Sequence, residues 1–508
     1  MRSSKITAFQ IEKIVSWNKK MFLDFHQRSP FFVLALLFVL CSCVFISPYY
    51  SLFLCVFIWL FSKNIWSFIY WILFSSTFVS YIHFAGIMVS NSSSAVPKQN
   101  VVFHLSNVTS KTFPIKKKKY KGYIQSFLTI DQRQVKKIPA QLVFKKTVKT
   151  LPVNNCYKVY GNINWIAPHY ALVLVENYKP IPKQFSPVKL RIQLKKHIAS
   201  ILKKHIKDTV CSDLLIALST ADNENTFLSF LFSRLGLQHI LAISGFHFGI
   251  LLFFLNYLFS KLFSSRVVVI LLFCCSTAYF LFLGSSASIF RTWIMVQYFL
   301  CSKWLSKPYP ALNALGLAAL LELFFRPHSL FSIGFQLSYL ACVAIFLFFP
   351  VVRAFLLKFF PKRTSKKLKE KWLCSLLGYL RETLSLNISI TLLILPVLFF
   401  HFQKFPLISL YYNFIIPPMI FVIMGLLILF FLTLPLPYLF IPIKSALLLV
   451  TQFTLQWIKY PPPLLIGTVY SHLLNPVILP ISYLMASFIL LAILQYRRLH
   501  ETSLAYLH

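Results

Sequence analysis

The residues able to do chemistry in this chain are few, and they sit where polar groups are costly. Four clusters interrupt its apolar runs. The densest is His239-Ile240-Leu241-Ala242-Ile243-Ser244-Gly245-Phe246-His247-Phe248-Gly249, with two imidazoles eight residues apart, a hydroxyl between them, and Gly245 and Gly249 at i,i+4. The second is Arg291, approached through Gly284-Ser285-Ser286-Ala287-Ser288-Ile289-Phe290. The third is Gly334-Phe335-Gln336-Leu337-Ser338-Tyr339, in which Gln336 and Ser338 fall one helical-wheel step short of sharing a face, so at most one lines a pathway. The fourth is Tyr411-Tyr412-Asn413-Phe414-Ile415-Ile416-Pro417-Pro418, whose Pro pair is expected to break a helix and free carbonyls beside protein or a water-filled cavity.

A polar group in hydrocarbon without a partner costs several kcal/mol, so each cluster needs a purpose. One purpose is packing: glycines let helices approach, neighbours satisfy the two histidines, and Arg291 braces the fold, for example against Glu322. The other is a pathway for an anion. Arginine pairs phosphate through its planar fork, and Ser and Asn hydrogen-bond phosphate or sugar. Glu322 and Glu382, the acidic residues well inside apolar runs, are expected to pair with basic residues more readily than to relay protons.

Several chemistries find no support. There is no Walker A sequence, GxSxG, HExxH or HxHxDH. No Cys or His cluster has zinc spacing, so neither cofactor nor metal is expected. Of ten cysteines, Cys41, Cys43, Cys55, Cys274, Cys275, Cys301 and Cys342 lie in apolar runs as small hydrophobes, and Cys374 opens another. Cys156 and Cys211 fall in soluble stretches, and a disulfide between them stays open.

The elements that must position these groups follow from composition. Of 508 residues, 57% are hydrophobic and 12% charged, against roughly 25% charged in soluble domains. Lys and Arg total 51 against 12 Asp and Glu, a formal +39. That excess fits positive-inside anchoring and anionic lipid, or a polyanionic substrate. The fold class is a polytopic α-helical membrane protein with about twelve spans and a small extracytoplasmic β-barrel domain.

Residues 1–30 are a basic N-terminus, and 31–90 an N-terminal cluster with spans near Phe31–Ser47, Tyr49–Phe61 and Ile65–Val89. Residues 91–187 lack apolar runs. They carry Lys clusters, and strand-like stretches at 122–124, 141–144, 157–163 and 171–175. Residues 188–208 form an amphipathic interfacial helix with Leu190, Leu194, Ile198 and Ile201 on one face. Lys195, Lys196, Lys203, Lys204 and Lys207 cover the other. Residues 209–434 and 435–496 hold spans near Gly236–Phe259, Val267–Gly284, Ala287–Trp304, Ala311–Phe325, Phe331–Pro350, Cys374–Phe400, Ser409–Leu434, Tyr438–Trp457 and Pro476–Leu494, ahead of a tail at 497–508. The basic segments Lys261–Arg266, Lys303–Lys307, Arg353–Lys371 and Arg497-Arg498 all fall on the side of the N-terminus. That side, with both termini, is then cytoplasmic, and 91–187 lies opposite.

Taken in order, these clusters resemble the ComEC competence family, inner-membrane channels of bacterial natural transformation. Gly236-Leu237-Gln238-His239-Ile240-Leu241-Ala242-Ile243-Ser244-Gly245-Phe246-His247 is similar to the family's G-L-x-H-L-L-A-I-S-G-x-H signature. Ala278-Tyr279 through Gly284 to Arg291, Arg326-Pro327 with Gly334 to Ala341, and Asn413 to Pro417 resemble three further segments. Tyr157 to Ile163 resembles a strand of the family's OB-fold-like domain, with Gly161 keeping its last glycine.

The resemblance implies a channel for single-stranded DNA from periplasm to cytoplasm, lined or braced by His239, Ser244, Gly245, His247, Arg291, Gln336, Ser338 and Asn413. It implies strand binding by the outer domain, for which Lys116, Lys117, Lys118, Lys119, Tyr120 and Tyr123 are suited. It also implies membrane lipids, a cytoplasmic helicase-like motor and a periplasmic DNA-binding protein as partners. The family's frequent C-terminal metallo-β-lactamase-like domain has no counterpart after the last span, which points to a separate nuclease and no enzyme activity here. The family's G-D-[RK] element is replaced by Ser219-Thr220-Ala221-Asp222-Asn223-Glu224. The alternative is a transporter or membrane enzyme acting on a small or lipid-linked anion.

Overall fold

The computed structural model of the chain describes residues 29–36, 39, 96–109, 119–128, 134–144, 156–167, 170–180, 187–223, 225–241, 245–284, 286–326, 329–330, 332–359, 368–462 and 468–470. Most of the first three expected spans, the expected span at Pro476–Leu494, Lys116, Lys117, Lys118 and Ser244 lie outside the described residues.

Five strands come first: β1 (Val96–Thr109), β2 (Lys119–Leu128), β3 (Gln134–Phe144), β4 (Cys156–Ala167) and β5 (Tyr170–Pro180). The four stretches with strand-like alternation fall in β2 to β5. The hydrogen-bonded order is β1-β2-β3-β5-β4, and β4 pairs back onto β1, so the ladder closes on itself. The β3–β5 pair is parallel and the others antiparallel. Strand side chains alternate between faces, and one face is dry: Phe103, Tyr120, Ile124, Ala140, Leu142, Tyr157, Val159, Ile163, Val173 and Val175 are buried. Gly161 sits at a register shift between β4 and β5, where a Cβ would lie 2.0 Å from the Leu174 carbonyl oxygen. Only glycine fits there.

The rest is helical. After α1 (Pro187–His205) come α2 (Thr209–Thr220) and α3 (Thr226–Arg234). Asp208 caps α2 by accepting from the amides of Val210 and Cys211, and Asn225 caps α3 by accepting from Phe227 and Leu228. Cys211 is a buried free thiol whose Sγ donates to Asp208 at 3.3 Å, so the Cys156–Cys211 disulfide left open by the sequence does not form.

The expected single span Gly236–Phe259 is instead divided between α4 (Gln238–Leu241) and α5 (Gly245–Ser260). Glycine is a poor helix-interior residue, and Gly245 becomes the first residue of α5. His239 and His247 therefore stand on separate helices.

Then follow α6 (Ser265–Leu283), α7 (Ala287–Trp304), α8 (Ala311–Phe325) and α9 (Ile333–Val343). The last runs through a π-helical turn, Ala344–Phe348, into α10 (Phe349–Phe359). After α11 (Leu368–Phe402), a short strand β6 (Lys404–Pro406) pairs with β7 (Thr468–Tyr470), which follows α12 (Ile408–Thr433) and α13 (Pro437–Lys459).

Among the described residues, five helical stretches are long and apolar enough to cross a membrane: Ser265–Leu283, Ile333–Phe359, Leu373–Phe402, Ile408–Thr433 and Pro437–Lys459. The expected spans at α5 and α8 are apolar helices of 16 and 15 residues, shorter than the ~20 a crossing needs.

The Pro417-Pro418 pair does not break its helix; both prolines lie inside the continuous α12. Pro418 has no N–H for the Phe414 carbonyl. Tyr379 Oη on α11 donates to that carbonyl at 2.6 Å and satisfies it.

Two cores position the site. Leu214, Leu218, Phe232, Ile416, Ile420, Ile423 and Leu447 join α2, α3, α12 and α13. Leu315, Ala318, Leu323, Phe335 and Tyr339 join α8 to α9.

Candidate functional site

Arg291 is the focus. It lies in the second turn of α7 and is 7% exposed. Its Nε donates to Ser338 Oγ at 3.0 Å, and its Nη1 donates to Cys342 Sγ. Both acceptors stand four residues apart on α9, so one helical face holds the guanidinium. The cation also sits 5.8 Å from the Tyr339 ring centre, a cation–π distance. Tyr339 Oη in turn donates to Glu322 Oε2 on α8 at 2.9 Å. Glu322, 2% exposed, thus meets a hydroxyl and not the basic partner expected for it. Glu382 does pair with bases: Arg353 Nε lies 2.8 Å from Oε2 and Arg381 Nη2 3.0 Å from Oε1.

Gly245, at the start of α5, faces Arg291 across a narrow gap. A Cβ at Gly245 would stand 3.0 Å from Thr292 Oγ1 and 3.7 Å from Arg291 Nη2. The gap opens into a cavity of about 250 Å³ lined by Gly245, Arg291, Thr292, Phe299, Tyr309 and Cys342 among others. Segments far apart in sequence, at Gly245, Arg291 and Ser338, therefore meet at one point.

The other candidates are placed apart from it. Gln336 accepts or donates at Oε1 to His401 Nε2 at 2.9 Å, as the tautomer sets, and donates to the Leu330 carbonyl, away from Arg291. Asn413 is half-buried on α12. His247 is buried at 1% exposure, while His239 on α4 is exposed.

The outer-domain candidates need one correction. Tyr120, expected to stack on a strand, is 2% exposed and packs edge-on against Phe144 at 5.2 Å. It is inward because it alternates in β2 with Ile124, also buried. Lys119 and Tyr123 lie in β2.

Some groups were not singled out from the sequence. Cys342 reads as a small hydrophobe, yet its i+4 spacing from Ser338 is what lets both reach Arg291. Lys158 on β4 and Lys179 on β5 are directly opposed and both exposed. Like charges so placed repel, which favours an anion over them. Tyr178 beside them is exposed.

A further contact ties α1 to the helical part. Lys195, expected on the solvent face, is 8% exposed and pairs with Asp222 at 3.0 Å. Burial pushes its ammonium below the ordinary value, and Asp222 opposes that shift. Leu190 and Leu194 are the exposed ones instead. Arg191 packs on Gly284, the residue that ends α6 and precedes the serine-rich approach to Arg291. Gly284 has φ +96°, and a Cβ there would be 2.8 Å from Arg191 Nη1.

Among the described residues, no cluster of three His, Cys, Asp or Glu could hold a metal.

The sequence profile of the family described as Competence protein matches residues 223–500. ComE operon protein 3 of Bacillus subtilis (strain 168) is 28% identical over 270 residues, covering 52% of this chain and 31% of that protein. The chain thus spans about a third of the length of this curated relative. No solved structure matches.

Proposed function

The chain belongs to the competence protein family, and from that premise we propose that it takes part in DNA uptake as a membrane channel for single-stranded DNA. In this reading the strand moves from periplasm to cytoplasm. The observation that carries it is the convergence on Arg291. Three segments of the kind that mark the family meet there, around a buried cation held by Ser338 and Cys342. A phosphate in a low-dielectric passage needs a compensating cation, and a guanidinium fixed on two nitrogens is pre-organised to supply it.

We read the closed five-stranded ladder as an OB-like β-barrel on the periplasmic side. The order β4-β1-β2-β3 supports this, because it is that of a Greek key and OB folds are five-stranded Greek-key barrels. Such folds bind single strands by basic grooves and aromatic stacking. Lys158, Lys179 and Tyr178 join Lys116 to Lys119 and Tyr123 in that role.

About twelve spans, cytoplasmic termini and an interfacial α1 complete the architecture. A helicase-like motor, a periplasmic DNA-binding protein and a separate nuclease are the proposed partners. The chain itself is a conduit in this account. Import of labelled DNA by cells carrying Arg291 variants tests it. A small or lipid-linked anion as substrate predicts that import is indifferent to Arg291.

A further inference from the structure

We infer that Arg291 Nη2 and the first turn of α5 form a binding site for one phosphodiester, seated against Gly245. The inference deepens the conduit reading and rests on it.

The guanidinium is committed at two of its three nitrogens, Nε to Ser338 and Nη1 to Cys342. Among the described residues Nη2 makes no hydrogen bond. It faces Gly245, where the missing Cβ leaves room beside it. The side chain is 7% exposed, so its free donor is aimed into protein and not into solvent.

Electrostatics points the same way. The α5 helix is 16 residues long. The amides of its first turn have no acceptor within the helix and carry the positive end of the helix dipole. A cation facing that end is repelled. Among the described residues no carboxylate lies within ion-pairing distance of Arg291, and Glu322 is engaged by Tyr339. An anion between Nη2 and the α5 amides turns the repulsion into two attractions.

The cavity supplies the rest of the ligand's shape. It is cationic at Arg291 and aromatic at Phe299 and Tyr309. Phosphodiesters occur in nucleic-acid backbones and in phospholipid headgroups. The aromatic end favours the nucleic acid, because bases stack on such rings.

Cys342 lines the cavity and reports on it. The full chain is placed in phosphatidylcholine nanodiscs and reacted with a small methanethiosulfonate, and modification is followed peptide by peptide. Exposed Cys301 is the internal control. Oligothymidylate is expected to slow Cys342 modification about tenfold, the scale of one charge-assisted hydrogen bond, and to spare Cys301. An uncharged methylphosphonate analogue is expected to give no protection. Gly245→Ala, whose methyl fills the gap, is expected to lose protection while the chain still binds oligonucleotide. Unchanged Cys342 reactivity with oligonucleotide bound elsewhere on the chain overturns the site and leaves the conduit standing. Protection by phosphatidylglycerol that oligothymidylate does not increase assigns the site to lipid and overturns the inference. Failure of the full chain to bind oligothymidylate at low salt overturns the conduit reading and the site together.

Discussion

Tyr339 and Glu322 are joined by a 2.9 Å hydrogen bond from phenol to carboxylate, and the same ring carries Arg291 on its face. Acid and base are thus coupled through one aromatic ring and not by a direct ion pair. The consequence is that Tyr339, buried at 8% exposure, bears the load of two buried charged groups.

Tyr339→Phe keeps the ring and removes the donor, leaving Glu322 without that bond. An unsatisfied buried acceptor costs about 1–3 kcal/mol. The variant is expected to unfold at lower temperature than wild type in detergent, and Glu322→Gln to be milder, because an amide still accepts. Equal unfolding midpoints for Tyr339→Phe and wild type would show that the bond carries no stability.

How much of this was legible beforehand divides along physical lines. The polar clusters were legible because hydrocarbon makes each polar residue expensive, and the strand stretches in β2 to β5 because period-2 alternation is local. The capture of Arg291 by Ser338 and Cys342 was not, since a thiol in an apolar run reads as filler until the facing helix is known. Lys195 was placed on the wrong face because α1 buries a lysine against Asp222, a tertiary contact that helical periodicity does not encode. The Pro417-Pro418 helix break failed for a similar reason: Tyr379 rescues the freed carbonyl from a different helix.

The Lys195–Asp222 pair gives a pH signature. Burial holds the folded-state pKa of Lys195 below its ordinary 10.5. Between the folded and unfolded values the unfolded chain binds more protons, so the stability of this contact rises with pH through that window. Asp222→Asn removes the group that opposes the shift, and the rise is expected to begin at lower pH than in wild type. Thermal unfolding between neutral pH and pH 10.5 reads it, and superimposable profiles for the two proteins would count against a buried ammonium.

Lys158 and Lys179 are expected to bind strand phosphates. Each phosphate neutralised on a single strand contributes roughly −0.7 to the slope of log affinity against log salt. Lys158→Gln with Lys179→Gln should weaken oligothymidylate binding to the full chain and make that slope shallower by about 1.4. An unchanged slope removes these lysines from the interface.

The passage of labelled single strands into the cytoplasm of cells carrying Arg291→Ala tests the central claim most directly. Surface capture is expected to persist, because the outer lysines are untouched, while import is abolished. Arg291→Lys keeps the charge but loses the fork, and partial import is expected from it. A stably inserted Arg291→Ala protein that imports DNA at the wild-type rate would contradict the account.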